Sequence, residues 1–220
     1  MVSQRLIPTA EAAFIAGLSD RQMNRVVDEH LMPDVLFERV GSTRRFTRLC
    51  AAFAKFYFDD GNWLVASARR QVLDELTQRV VQLQRKEDVL FLLKLPRKFN
   101  WKVANHSVEV DMAPYVTEVF SRVKDVSEAD ALVATDPAVM GGMAVFAGTR
   151  VPVDTVLGSL SAKVDMARLK ASYPFLTEAH IQAARIHEEV HPRRGRPRRL
   201  ADVNPPETRR VTRVVRQPAG

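Results

Sequence analysis

The sequence has little cysteine, no long apolar run and no apolar N-terminal segment, and each scarcity excludes a class of protein. The single cysteine, Cys50, excludes an internal disulfide and a thiolate zinc site, as is typical of a reducing compartment. The longest apolar runs, such as residues 89–93, fall far short of the roughly 20 residues that a membrane span needs. No apolar core precedes Pro8, so no signal peptide is predicted. We therefore expect a cytoplasmic protein that does not enter a membrane.

The formal net charge of +7 comes from the C-terminal tail alone. Residues 193–220 hold nine arginines, no lysine and two acidic residues, whereas the rest of the chain carries 24 basic and 24 acidic side chains. This tail has four prolines and little apolar periodicity, so it cannot offset the entropy of ordering. We predict a disordered basic tail that binds a polyanion or an acidic protein cleft.

Residues 1–60 have the pattern of a winged helix-turn-helix. A first helix is predicted to end at Gly17, and Ser19 with Gln22 predicts a capping box that starts a second helix. Two extended segments then flank a hairpin turn at Gly41–Ser42. Two helices joined by a short turn with glycine, followed by a basic hairpin, give the element order of this fold.

The predicted DNA-contacting side chains are polar or basic and lie on the second helix and the hairpin. Recognition helices read base edges near their N-terminal ends, and arginines on a wing suit phosphates. These residues are Arg21, Gln22, Asn24 and Arg25 on the helix, and Ser42, Arg44, Arg45 and Arg48 on the hairpin. The alternative interpretation is a helical domain whose arginines are only solvated.

Three short motifs lie in the same segment, at residues 7–13 (Ile-Pro-Thr-Ala-Glu-Ala-Ala), 17–19 (Gly-Leu-Ser) and 41–46 (Gly-Ser-Thr-Arg-Arg-Phe). Together they resemble the N-terminal winged helix of MerR-type regulators, over about a quarter of the chain. The resemblance implies that the second helix and the wing contact operator double-stranded DNA.

The pattern of residues 61–130 predicts an α+β connector region that also contributes to a dimer interface. Alternating residues at 99–103 and 108–112 predict a β-hairpin, and Pro114 opens a helix that reaches about Val126.

An apolar stripe at helical spacing runs from Leu64 to Leu83 in the predicted helix 62–86. Such a stripe is more typical of core or dimer packing than of a cofactor site. A two-fold operator is matched by a two-fold protein, so we expect a homodimer with this stripe as its seam.

Residues 131–192 predict a small β-ribbon followed by a module of three helices, at 154–162, 165–172 and 177–190. Two short helices joined by a proline-containing turn again make a helix-turn-helix. The predicted fold class of the whole chain is mainly α with small β-hairpins.

Several short motifs occur at fixed separations in this module. They are Asp136-Pro137, Gly142, residues 148–153 (Gly-Thr-Arg-Val-Pro-Val), residues 173–177 (Tyr-Pro-Phe-Leu-Thr) and Ala183-Ala184. The stretch resembles the antitoxin-associated family catalogued as domain of unknown function four-three-three. That family usually places glycine between its first two helices, where this chain has Lys163-Val164. The resemblance implies a VapB-like antitoxin of a type II toxin–antitoxin pair, whose cognate partner is a PIN-like ribonuclease toxin.

The tail arginines are the predicted toxin-binding residues, because a guanidinium pairs with two carboxylate oxygens and could exclude magnesium from a nuclease site. They are Arg193, Arg194, Arg196, Arg198, Arg199, Arg209, Arg210, Arg213 and Arg216. Residues 194–197 (Arg-Gly-Arg-Pro) are also similar to the core of an AT-hook, which lies in the minor groove of DNA. An unspecific solvated tail is the third interpretation.

Residues 187–191 (His-Glu-Glu-Val-His) match the pattern that places two zinc-ligating histidines on one helical face. Pro192 ends the helix at once, and no third ligand follows where one would be expected. We interpret the motif as a solvated helix end and predict no metal site, no cofactor and no enzymatic activity. Cys50 is interpreted as a small core residue rather than a nucleophile.

Three functions remain after these observations. The favoured one is an antitoxin that inhibits its toxin and represses its own operon. The alternative is a MerR-like transcription regulator without a toxin partner. A metallopeptidase is the third.

Overall fold

The computed structural model describes residues 5–59, 63–105 and 108–192, and the tail of residues 193–220, predicted to be disordered, lies outside them. The described chain is mainly helical with small antiparallel sheets, which confirms the predicted fold class at that level. The helices are α1 Thr9–Ala16, α2 Asp20–Asp28, α3 Arg48–Tyr57, α4 Ala66–Val81, α5 Lys86–Leu90, α6 Ala113–Leu132, α7 Val153–Ser161, α8 Met166–Ser172 and α9 Glu178–Val190. The strands are β1 Ile7–Pro8, β2 Phe37–Val40, β3 Thr43–Phe46, β4 Lys102–Asn105, β5 Val108–Asp111, β6 Val133–Thr135 and β7 Ala144–Phe146.

The predicted turn between α1 and α2 is present. Gly17 ends α1 in the left-handed region, with φ 68°, where glycine carries no steric penalty. The capping box of α2 is confirmed, because Ser19 Oγ accepts from the Gln22 amide at 3.3 Å and Gln22 Oε1 accepts from the Ser19 amide at 3.0 Å. Two of the otherwise unpaired N–H groups at this helix start are thereby satisfied.

The predicted hairpin is also present, and it has a third strand that the sequence did not indicate. Val40 pairs with Thr43, so Gly41 and Ser42 form a two-residue turn between β2 and β3. β1 pairs with the other edge of β3, which gives the strand order β1-β3-β2. A strand of two residues is too short to show an alternating pattern, so β1 could not be found from the sequence.

Of the hairpin and the following helix predicted in the middle segment, only the helix needs a correction. The β4–β5 hairpin is present, although its turn at residues 106–107 lies outside the described residues. α6 continues to Leu132 instead of ending near Val126, because it packs against both α3 and α9 and Ala129 is still buried there. The predicted segment boundary at 130/131 therefore falls in the last turn of α6, and the division into four segments stays a prediction.

The apolar stripe on α4 does not form a free seam. Leu73, Leu76 and Val80 are each 0% exposed within a single chain, where they belong to one continuous core. The prediction that this stripe forms the dimer seam is wrong, because these side chains are already buried by other parts of the same chain. The homodimer itself stays a prediction, and another surface would have to form its interface.

None of the helices in the described ranges combines the length and the apolar character that a bilayer crossing requires.

Replacing Gly17 with alanine is expected to lower the free energy of unfolding by about 1–3 kcal/mol, because a non-glycine residue is strained at this φ. The new Cβ would also lie 2.7 Å from Arg122 Nη1, the atom that donates to the Phe14 carbonyl at 3.0 Å. Urea unfolding measures the change.

Gly158→Ala is the matched control for this substitution. Gly158 lies in α7, and a methyl group added to its Cα would have nothing within 4 Å of it. Alanine there should therefore stabilise the protein by about 0.5–1 kcal/mol. Equal effects of the two substitutions would show that the turn conformation is not what makes Gly17 necessary.

Candidate nucleic-acid interface

Two of the four predicted DNA-contacting side chains on α2 are held by the N-terminal region itself. Gln22 is committed to the capping box with Ser19. Asn24 is half-buried, and its Oδ1 accepts from Thr9 Oγ1 at 3.4 Å, so it faces α1. Neither side chain is presented freely to a ligand in this conformation.

The other two α2 residues, both arginines, are exposed. Arg25 makes two hydrogen bonds with Glu29, at 2.7 and 3.0 Å, and lies over the Phe58 ring at 5.3 Å. The hydrogen bond from Arg25 lowers the pKa of Glu29, but an exposed ion pair of this kind contributes little to stability. Arg25 can therefore exchange this partner for a phosphate. Arg21 is also exposed, and its spacing of four residues places it on the same helical face as Arg25.

The β2–β3 hairpin, which the sequence predicts to be a wing, contacts α2 through Asp28. Arg44 Nη2 donates to both carboxylate oxygens of Asp28, at 2.7 and 2.9 Å. Arg39, which is the direct cross-strand neighbour of Arg44, places Nη1 3.6 Å from the same carboxylate. Opposite residues of an antiparallel pair share a face of the sheet, so Arg39 and Arg44 form one basic surface beside the end of α2. We call this pair the wing face.

Arg45 lies on the opposite face of the hairpin from the wing face. It pairs with Glu38 and with Pro8 in the sheet, and successive strand residues point to opposite faces. The prediction placed Arg44 and Arg45 on one DNA-contacting surface and overlooked Arg39. If the turn at Gly41 and Ser42 has two residues, then counting outward from it pairs Arg39 with Arg44. The sequence did not establish this register, so the pair was not predicted.

The predicted placement of Arg48 at the hairpin tip is wrong. Arg48 is the first residue of α3, only 8% exposed, and its Nη2 donates to Glu11 Oε1 at 3.2 Å. Burial raises the pKa of Glu11, and this effect exceeds the opposing attraction of Arg48. Arg48 thus joins α3 to α1 inside the protein, whereas Ser42 is exposed at the turn, as predicted.

The nine predicted toxin-binding arginines, Arg193 to Arg216, all lie outside the described residues.

The Gly-Thr-Arg-Val-Pro-Val motif of the C-terminal module forms a tight turn after β7. Gly148 has φ 73°, and Thr149 Oγ1 donates to the Phe146 carbonyl at 2.9 Å while accepting from the Val151 amide at 3.1 Å. These contacts fix the chain between the strand and α7, so the motif has a structural basis.

The Tyr-Pro-Phe-Leu-Thr motif anchors and starts α9. Leu176 is 1% exposed, and the ring of Phe175 lies 5.7 Å from that of Phe146. Thr177 Oγ1 accepts from the His180 amide at 3.4 Å, which caps the helix. This motif and the Gly-Thr-Arg-Val-Pro-Val motif therefore specify packing and turns rather than a reactive group.

The prediction for Cys50 is confirmed, whereas the prediction for the histidine motif needs a correction. Cys50 is fully buried, which raises the pKa of its thiol and confirms it as a core residue. His191 is exposed, but His187 is half-buried, and its buried Nδ1 has no hydrogen-bond partner in the described structure. The interpretation as a solvated helix end is thus wrong for His187. Asp130 at the end of α6 lies close to both histidines, which the sequence did not indicate.

Comparisons with known proteins agree with the motifs of the C-terminal module. Residues 133–186 match the family described as "Protein of unknown function (DUF433)", the family that the motifs resemble. Lys163, where the resemblance leads one to expect glycine, has φ 60°, so a non-glycine residue adopts the left-handed conformation there.

The chain is also similar over most of its length to a protein from Sinorhizobium fredii named "Uncharacterized protein y4eO". The two are 29% identical over 198 residues, which cover 90% of this chain and 87% of that protein. No solved structure matches the chain.

Proposed function

We propose that this protein is a DNA-binding antitoxin of a type II toxin–antitoxin system. Its N-terminal winged helix binds operator DNA and represses its own operon, and its arginine-rich tail inhibits a PIN-like ribonuclease toxin. The DNA-binding part rests on the contact of the wing face with α2 through Asp28. The toxin-binding part rests on the family match of residues 133–186 and on the net charge of the tail.

The wing face is suited to a phosphate because its present partner is a single carboxylate. Arg44 and Arg39 both lie within salt-bridge distance of Asp28, whose side chain is 41% exposed. A DNA phosphate offers the same charge and hydrogen-bond geometry as this carboxylate and can replace it. Since Asp28 is the last residue of α2, a phosphate held there would place α2 beside the groove.

Alanine substitution of Arg39 or Arg44 is expected to weaken operator binding for all sequences. Each variant should also reduce the slope of log K against log salt by about one unit, since one phosphate contact is lost. Arg45→Ala is the matched control, because it removes an identical charge from the opposite face of the same strand, and its effect should be smaller. Asp28→Asn should strengthen binding, since it frees both arginines and removes a negative charge.

Gel-shift titrations at several salt concentrations, with DNA from upstream of the gene, measure these effects. Equal losses in the three arginine variants would contradict the assignment of the wing face. Unchanged affinity in all of them would remove the N-terminal region as the DNA reader.

The alternative function is a MerR-like regulator without a toxin partner. One simple observation distinguishes the two proposals. Only the antitoxin proposal expects a neighbouring reading frame that encodes a nuclease with an acidic active site. Co-expression of that frame with and without this protein then tests neutralisation directly, and growth arrest that this protein does not relieve would favour the alternative.

A further inference from the structure

Three side chains from two distant parts of the sequence meet where α6 and α9 end. Asp130, His187 and His191 each offer one ligand atom, and these three atoms all lie within 4.8 Å of one another. The two imidazole rings are 4.5 Å apart between centroids. Asp130 is in the last turn of α6, whereas His187 is in the last turn of α9 and His191 directly follows that helix. We call this group the His–Asp cluster.

The polar groups of the His–Asp cluster do not form hydrogen bonds with one another. His187 Nδ1 is buried without a hydrogen-bond partner, and leaving such an atom unpaired is costly. Within the described ranges no hydrogen bond or salt bridge joins Asp130 to either histidine. Burial and the neighbouring His191 both lower the pKa of His187.

We propose that Asp130, His187 and His191 bind one divalent transition-metal ion, for which Zn²⁺ is the natural probe. Two imidazoles and a carboxylate form a ligand set that zinc accepts, with a fourth position left for water. Magnesium and calcium prefer sites made of oxygen atoms alone. The expected selectivity is therefore Zn²⁺ or Co²⁺ over Mg²⁺.

The geometry of the cluster needs only a small closure to fit zinc. Zinc–ligand bonds of about 2.0–2.1 Å in a tetrahedron place the ligand atoms about 3.3–3.4 Å apart. The atoms now lie within 4.8 Å of one another, so no separation has to shorten by more than roughly 1.5 Å. Asp130 and His191 are exposed at helix ends, and rotation of these two side chains can supply that shift while half-buried His187 stays in place.

The surroundings of the cluster leave room for the fourth ligand. A cavity of about 600 Å³ is lined by His187, His191, Glu188 and Val153 among others. A bound ion would connect α6 to α9 directly before Pro192, where the described chain ends. The site would thereby stabilise the C-terminal module at the point from which the arginine tail leaves.

The test uses the full-length chain, freed of metal with a chelator and then titrated with Zn²⁺, Co²⁺ or Mg²⁺. We expect one equivalent of Zn²⁺ to bind, the visible absorption of tetrahedral Co²⁺ to appear, and the unfolding midpoint to rise with Zn²⁺ but not with Mg²⁺. Asp130→Asn and His191→Gln should each weaken Zn²⁺ binding at least tenfold. Both residues are exposed, so both variants should fold without metal, which their unfolding midpoints check.

Two control variants separate the proposed site from adventitious binding. Glu189→Gln changes the same helical turn outside the cluster, and His30→Asn removes a histidine from the N-terminal region while suiting its positive φ of 47°. Both should bind Zn²⁺ like the unaltered protein. Absence of stoichiometric binding, or equal affinities in the cluster and control variants, would overturn the proposal.

Discussion

A chain that ends at Pro192 is expected to keep its fold but to lose most of the proposed ability to neutralise a nuclease toxin with an acidic active site. The last described helix, α9, ends at Val190, so truncation at Pro192 removes no described helix or strand and thermal unfolding should remain cooperative. The truncated chain loses nine arginines and a net charge of +7. Inhibition of the toxin's RNase activity, measured against the full-length protein, gives the size of the effect.

Single substitutions in the tail distinguish two ways in which it could bind the toxin. If one arginine enters the toxin's carboxylate cluster, one alanine variant among the nine should lose about 2–5 kcal/mol of binding energy. If the tail is a diffuse anchor, each variant should cost well under 1 kcal/mol and the losses should add. A tail with all nine arginines changed to lysine is the matched control, because it keeps the charge but loses bidentate pairing.

Full neutralisation by the truncated chain would refute the role of the tail. The segment 131–192 would then be the toxin-binding surface.

Breaking the buried pair between Glu11 and Arg48 should have the largest effect on stability. The two side chains are only 12% and 10% exposed, and breaking a buried ion pair costs about 3–5 kcal/mol. We expect Glu11→Leu and Arg48→Met each to lower the free energy of unfolding by this amount, measured by urea unfolding. The double variant should cost clearly less than the sum of the two.

The same variants separate a structural role of Arg48 from a role in DNA binding. At temperatures where Arg48→Met is still folded, its operator affinity should show the salt dependence of the unaltered protein. A slope lowered by about one unit would instead mean that Arg48 contacts a phosphate. Additive stability losses in the double variant would show that the pair does not act as a unit.

The sequence alone was sufficient for features that depend on neighbouring residues. The capping box of Ser19 and Gln22, the turn at Gly17 and the hairpin turn at Gly41 were all predicted and are all present. Each depends on hydrogen bonds or backbone preferences within about four residues. The motifs of residues 133–186 were recognised for a similar reason, since their glycine, threonine and proline residues specify local turns.

Side-chain environments, by contrast, depended on which distant segments pack together. The stripe on α4 was predicted to be a dimer seam and is instead part of the core, because periodicity shows which face is apolar but not what covers it. Arg48 looked like a wing residue until Glu11, 37 positions earlier, was found beside it. Arg39 and Arg45 could be assigned to faces only when the strand register was known.

The His–Asp cluster shows the same division most clearly. The sequence determined that His187 and His191 are four residues apart, about one helical turn, at the end of a predicted helix. It contained no signal that Asp130, 57 positions before His187, would be their neighbour. Only the packing of α6 against α9 decided that, because contacts between distant segments follow from the burial of whole helical faces rather than from local residue preferences.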